Sequence, residues 1–129
     1  MNKFQSAIGM AVFVAACGCA SASASIDEVW ECTLNEGKTM MEVEALNNAW
    51  VKFTNGKVKG GGVTSATVVP VVGEQGGFLF VDNFPTMQAW IETKALMETS
   101  EGKKVEAQIL DTVTCTKNRL YKMNRQTGN

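Results

Sequence analysis

The chain contains no histidine anywhere in its 129 residues. Ser-His-Asp and Cys-His catalysis are therefore excluded, and so are histidine-ligated zinc and histidine-ligated haem. A dominant charge of one sign is also missing: the formal net charge is −1. Nothing in that balance points to nucleic acid. No apolar run is long enough to make a spanning helix. No repeat of 20–50 residues is visible. The triple glycine Gly60-Gly61-Gly62 lacks the G-x-x-x-x-G-K-[ST] context of a phosphate loop and reads as a flexible joint.

What is present begins with a targeting segment. Lys3 gives a positive start, Ile8 to Ala16 is apolar, and Ala20-Ser21-Ala22-Ser23-Ala24 is made of small residues. This is the pattern of a secretory signal spanning residues 1–24, with cleavage after Ala24. A second reading is a lipoprotein signal: Val14-Ala15-Ala16-Cys17 resembles a lipobox, in which Cys17 carries the lipid. Cysteine arithmetic tilts toward simple cleavage, which removes Cys17 and Cys19 together and leaves an even pair. Both routes export the domain: to the periplasm in the first case, and to a lipid-anchored place at the outer membrane in the second. Membrane attachment is expected only with lipidation at Cys17. The remaining stretch of about 105 residues suits one domain with a modest core. Losing Lys3 from the 12 basic residues leaves 11 against 13 acidic ones, about −2. The domain is expected over 25–118, followed by a tail, 119–129. The end of the chain is locally basic, with Lys117, Arg119, Lys122 and Arg125.

Periodicity sketches the domain. Val29 to Leu34 alternates as a strand, with Trp30, Cys32 and Leu34 on one face. Thr39-Met40-Met41-Glu42 matches a capping box and opens a helix to about Thr54, with Val43, Leu46, Trp50 and Phe53 as its apolar stripe. Asn55-Gly56 supplies a stop. Ser65 to Val72 reads as a strand in which Pro70 demands an edge or a bulge. Gly73 to Gly77 turns the chain into a strand over Phe78 to Phe84. Pro85-Thr86 opens a second helix, carrying Met87, Trp90, Ile91 and Ala95 inward, and Ser100-Glu101-Gly102 closes it. Val105 to Cys115 alternates as a long final strand.

The order β-α-β-β-α-β is that of an α+β, ferredoxin-like fold: a four-stranded antiparallel sheet in the order 4-1-3-2, covered on one face by two helices. First and last strands are then neighbours. Cys32 and Cys115 fall on their helix-covered faces, so a cross-strand disulfide is geometrically coherent. Two buried free thiols are the alternative.

Glu31-Cys32-Thr33-Leu34-Asn35-Glu36-Gly37-Lys38-Thr39, then Asn48-Ala49-Trp50 and Phe84-Pro85-Thr86, resemble dimeric α/β-barrel proteins. Within that superfamily the likeness is to small exported members of unassigned function from marine bacteria, and it runs from Trp30 to about Cys115. The resemblance implies a homodimer whose two sheets pack face to face around a cavity. Relatives include antibiotic-biosynthesis and haem-degrading monooxygenases, chlorite-dismutase-like enzymes and stress-responsive proteins, so fold alone does not fix function. The histidine-dependent branches match poorly, and no catalytic motif carries over.

In such a barrel the face away from the helices is expected to line the cavity. Its ligand-binding candidates are Thr33, Gln108, Leu110, Thr112 and Thr114, with Val29 beside them. Glu31 is the candidate acid or base, because partial burial would raise its pKa. Asp82 and Asp111 interrupt apolar alternation, which fits strand ends or a bulge. Trp50 and Trp90 follow core spacing. The methionines do not follow a copper-binding repeat. No metal and no cofactor is expected. The reading is an exported protein of unassigned activity that binds a small, partly apolar ligand between the sheets of a homodimer. The alternative is a cofactor-independent monooxygenase-like enzyme acting on a small organic substrate, and a third class is a structural or stress-related module.

Overall fold

The computed structural model describes residues 24–126 and 128. Apart from Ala24, the expected signal segment, with Cys17 and Cys19, lies outside the described residues. Strand β1 spans Ser25–Leu34, α1 Met40–Lys57, β2 Thr64–Val68, β3 Phe78–Phe84, α2 Met87–Met97, α3 Ser100–Thr112 and β4 Val113–Met123. The four strands pair antiparallel in the order β2-β3-β1-β4. This is the expected α+β, ferredoxin-like sheet, with three helices on one face where two were expected.

The largest correction concerns Val105 to Cys115. Val105, Ala107 and Ile109 alternate as a strand would, but Gly102, Val105, Ile109 and Thr112 also recur at spacings of three, four and three. The helix wins because Glu101, Lys103, Lys104, Glu106, Gln108 and Leu110 are all good helix formers. Thr99 caps it, its hydroxyl accepting from the Gly102 N–H at 3.1 Å. Gly102 also fits where no other residue does: a Cβ there would meet the Leu96 carbonyl oxygen at 2.2 Å. Ser100-Glu101-Gly102 therefore opens α3 and does not merely close α2. Gln108, Leu110 and Thr112 consequently stand on a helix and do not line the sheet face.

Smaller corrections follow the same logic. The capping box forms as expected, with Glu42 Oε2 accepting from the Thr39 N–H at 2.8 Å. The helix then passes through Asn55-Gly56 to Lys57. Asn55 does not stop the helix. Its side chain bonds both backbone groups of Val63, at 2.8 and 2.9 Å, and so pins the Gly60–Gly62 joint. Strand β1 starts at Ser25, four residues earlier than alternation indicated, and β2 stops at Val68, leaving Pro70 in the connection. Strand β4 runs on to Met123, so the boundary expected after residue 118 falls inside it. Lys117, Arg119 and Lys122 are strand residues, and only Arg125 of that basic group lies in the tail.

The core lies between sheet and helices. Ile26, Trp50, Val58, Val63, Phe84 and Ala89 form one cluster; Cys32, Val43, Phe78, Phe80 and Val113 form the other. Trp50 meets Phe84 edge-on at 6.5 Å between centroids. Burying a side chain such as Phe84 contributes about 1.5–3 kcal/mol. Cys32 and Cys115 are register partners joined by a disulfide. It closes a loop across a separation of 83 residues, worth up to about 4.5 kcal/mol in the chain-entropy model. A register shift at Glu31/Cys32 follows at once. It leaves Thr116 as the extra residue on β4 and restores the alternation from Lys117 onward.

Candidate functional site

The strand registers assign every strand side chain to a face. Ile26, Glu28, Trp30 and Cys32 lie level with Phe84, Asp82, Phe80 and Phe78, toward the helices. The opposite face holds Asp27, Val29, Glu31 and Thr33 on β1, with Leu79, Val81 and Asn83 on β3. Thr64, Ala66 and Val68 continue it on β2, and Thr114, Lys117, Arg119 and Tyr121 on β4. No described element covers this face. Its middle is aliphatic and its β4 margin basic.

At the end of the bare face where β2 stops is an open groove of about 530 Å³. Glu31, Thr33, Leu79 and Lys117 line one side, and Val68, Pro70, Glu74 and the Gly76-Gly77 turn the other. Thr33 and Thr114 are thus on the bare face, as expected; Glu31 is there too, but its chemistry is not. The Lys117 ammonium lies 2.8 Å from Glu31 Oε2 and the Arg119 guanidinium 3.3 Å from Oε1. The hydrogen bond from Lys117 leads the causes that hold its carboxyl below the ordinary glutamate value. Glu31 is an ion-pair acceptor between two cations, which does not suit it to act as a base of raised pKa. Two cations against one carboxylate leave the margin net positive.

The three residues displaced onto α3 are not together on one surface feature. Gln108 and Thr112 line a shallow groove of about 570 Å³ between α1 and α3, with Leu46, Glu42 and Asp111. Leu110 is exposed. Asp111 is neither at a strand end nor at a bulge: it lies near the end of α3, and the Lys38 ammonium donates to its Oδ2 at 2.6 Å.

Alternation also passed over a polar cluster behind the sheet. Glu28 and Asp82 are cross-strand partners, both buried, on the helix-covered face. Glu28 accepts from Trp90 Nε1 at 3.2 Å and from Asn118 Nδ2 at 2.8 Å. The Lys94 ammonium is 2.7 Å from the same carboxylate. That ammonium also stands 5.2 Å from the centroid of the Trp30 ring and 5.7 Å from that of Trp90, within cation–π range. Asp82 accepts from the Ser65 hydroxyl at 2.6 Å. Desolvation leads the causes that push its carboxyl up to about 7; Glu28 adds to the rise, while Ser65 and Lys94 oppose it. Two carboxylates thus share one lysine. Asp82 lies inside β3 in regular pairing, not at the strand end or bulge expected for it. Trp90 is half-buried, its indole N–H serving Glu28. The signal for the cluster was the polar interruption at Glu28, which a strand starting at Val29 leaves out. Among the described residues no group of three or more Cys, Asp or Glu gathers as metal ligands would. No helix among them is long and apolar enough to cross a membrane.

No protein-family model matches the sequence, and no curated protein matches it either. Solved structures do match. SnoaB from Streptomyces nogalater, described as a cofactor-independent oxygenase, superposes with a TM-score of 0.58 at 8% identity, over 83% of this chain and 100% of its own. A conserved protein from Methanosarcina mazei gives 0.54 at 8% identity, over 81% and 96%. A dimeric ferredoxin-like protein of unknown function from Thermobifida fusca gives 0.53 at 11%, over 78% and 92%. The likeness is one of fold. It bears out the ferredoxin-like architecture, and identities this low carry no activity across.

Proposed function

We propose that two copies of this chain pair through their bare sheet faces and hold a small, partly apolar organic molecule with an anionic group between them. The observation that carries this reading is the uncovered face itself. Val29, Leu79, Val81 and Val68 lie on it, and its groove is edged by Lys117. An aliphatic floor with a few placed polar groups is the usual make-up of a small-molecule site. A protomer with one bare sheet face hides it by pairing with its own kind. The Thermobifida fusca neighbour, described as dimeric, supports the pairing. The disulfide is in keeping with export, since such bonds persist in oxidising compartments.

Light scattering on residues 25–129 should give twice the protomer mass; a strict monomer at high concentration removes the reading. An apolar anionic dye, anilinonaphthalene sulfonate, should bind the dimer. Lys117→Glu should weaken that binding about tenfold, and unchanged affinity would move the ligand elsewhere.

A second reading is a cofactor-independent oxygenase acting on a small organic substrate. Its support is the fold shared with SnoaB, described as a cofactor-independent oxygenase, over 83% of this chain. Without a cofactor the substrate itself must give electrons to oxygen, so it has to be electron-rich and deprotonable, such as a phenol. Oxygen uptake with a panel of phenols is the expected result; no uptake from any of them ends this reading.

A further inference from the structure

The connection after β2 reads Val69-Pro70-Val71-Val72, and its outer side is bare. Val71 and Val72 are each 91% exposed, and Val69 is 52% exposed. Val68 and Pro70 of the same segment line the groove, whereas Val71 and Val72 do not. The segment therefore has two apolar sides, one used within the chain and one unused. Exposed valines in an unbroken run mark a contact surface.

We propose that this arm packs on a second copy of the chain, over the start of β4, and roofs the groove of that copy. The proposal rests on the dimer reading above and adds the arrangement of the two protomers and the source of the groove's missing wall.

Area argues for the arm. Strands of ten, five, seven and eleven residues, at about 3.3 Å per residue and about 4.8 Å between strands, cover roughly 500 Å² in projection. A stable interface takes about 800 Å² from each partner. The sheet face is a small platform, and the arm is the exposed apolar surface continuous with it through Val68.

Symmetry and charge argue for the place. Two sheets packed face to face by a two-fold axis with their strands aligned have two arrangements. An axis along the strands lays the arm over the partner's β4 start, beside Thr114. An axis across the strands lays it over the far end of the partner's β2, beside Thr64. The arm and its turn carry one charge, Glu74. The β4 side offers Lys117 and Arg119 against Glu31 alone. The far end offers Asp27, buried and bound by Asn83. Glu74 is drawn to the first, while the second offers it no cation among the described bare-face residues, so the axis runs along the strands. Each groove is then closed by the other protomer's valines.

The test mixes two variants, each with one cysteine added to the intact Cys32–Cys115 pair, so that a disulfide between the two added cysteines can form only between protomers. Val72→Cys mixed with Thr114→Cys should give a covalent heterodimer under mild oxidation, identified by mass spectrometry, and Val72→Cys mixed with Thr64→Cys should not. The reverse result, or no cross-link in either mixture while light scattering still reports a dimer, overturns the arm placement and leaves the pairing intact. A monomer mass in light scattering overturns both. Separately, Val71→Asp with Val72→Asp should raise the dimer dissociation constant about 100-fold. Far-ultraviolet circular dichroism should stay unchanged, because both valines are exposed in the single chain. An unaltered dimer constant would show that the arm makes no contact.

Discussion

At the scale of single residues, Asp82 is the most consequential side chain. Its carboxyl titrates near 7 in the folded chain and near 3.8 when exposed. The folded state therefore holds a proton that the unfolded state has already released between those two values. The stability this proton confers is fully present below about pH 4 and is lost as pH rises through about 7. A shift of about three units corresponds to a change on the order of 4 kcal/mol. Urea unfolding should show this loss between about pH 4 and about pH 7, and Asp82→Asn should flatten it. An identical pH slope in the variant would show that another group governs it. The cross-strand partner of Asp82, Glu28, accepts from Lys94, Trp90 and Asn118. One member of the cross-strand pair is matched by a cation and the other by a neutral hydroxyl, and that asymmetry sets the site's pH response.

At the scale of elements, legibility followed how many signals agreed. Helix α1 was plain because a capping box and an apolar stripe coincide, and β3 because Phe78, Phe80 and Phe84 alternate without competition. The sheet order came from the order of the elements, and the cysteine pairing from a last strand placed over Val105 to Cys115, of which only Val113 to Cys115 is strand. Helix α3 was illegible to alternation because its apolar residues satisfy both periods, and only the propensity of the intervening residues separates them. That one misreading carried Gln108, Leu110 and Thr112 to the wrong surface. The candidate site was legible only where the strand was: Thr33, Glu31 and Thr114 are on the bare face. The two cations that reverse the expected chemistry of Glu31 lie on β4, in a stretch whose alternation gave no sign of a strand. The cap decides how firmly α3 starts. Thr99→Ala removes the hydroxyl that accepts from Gly102 and should cost about 1 kcal/mol. Denaturant melts should show the loss, and hydrogen exchange should quicken first in the opening turn of α3. Unchanged exchange there would mean that Gly102 packing alone holds the turn.

At the scale of the whole molecule, the bridge from Cys32 to Cys115 has a consequence for damage. The connection between β2 and β3 is an exposed loop, with Val71 and Val72 almost wholly in solvent, and such loops are where proteases cut. A cut there separates a fragment carrying β1, α1 and β2 from one carrying β3, α2, α3 and β4. Cys32 belongs to the first fragment and Cys115 to the second, so the halves stay chemically joined. Strand pairing between β1 and its two neighbours holds them in register. Limited proteolysis should therefore leave one band on a denaturing gel without reductant and two with it, and the nicked protein should keep its circular dichroism. Two bands without reductant would show that the halves are not joined. A chain nicked at this loop would survive the break as a single object.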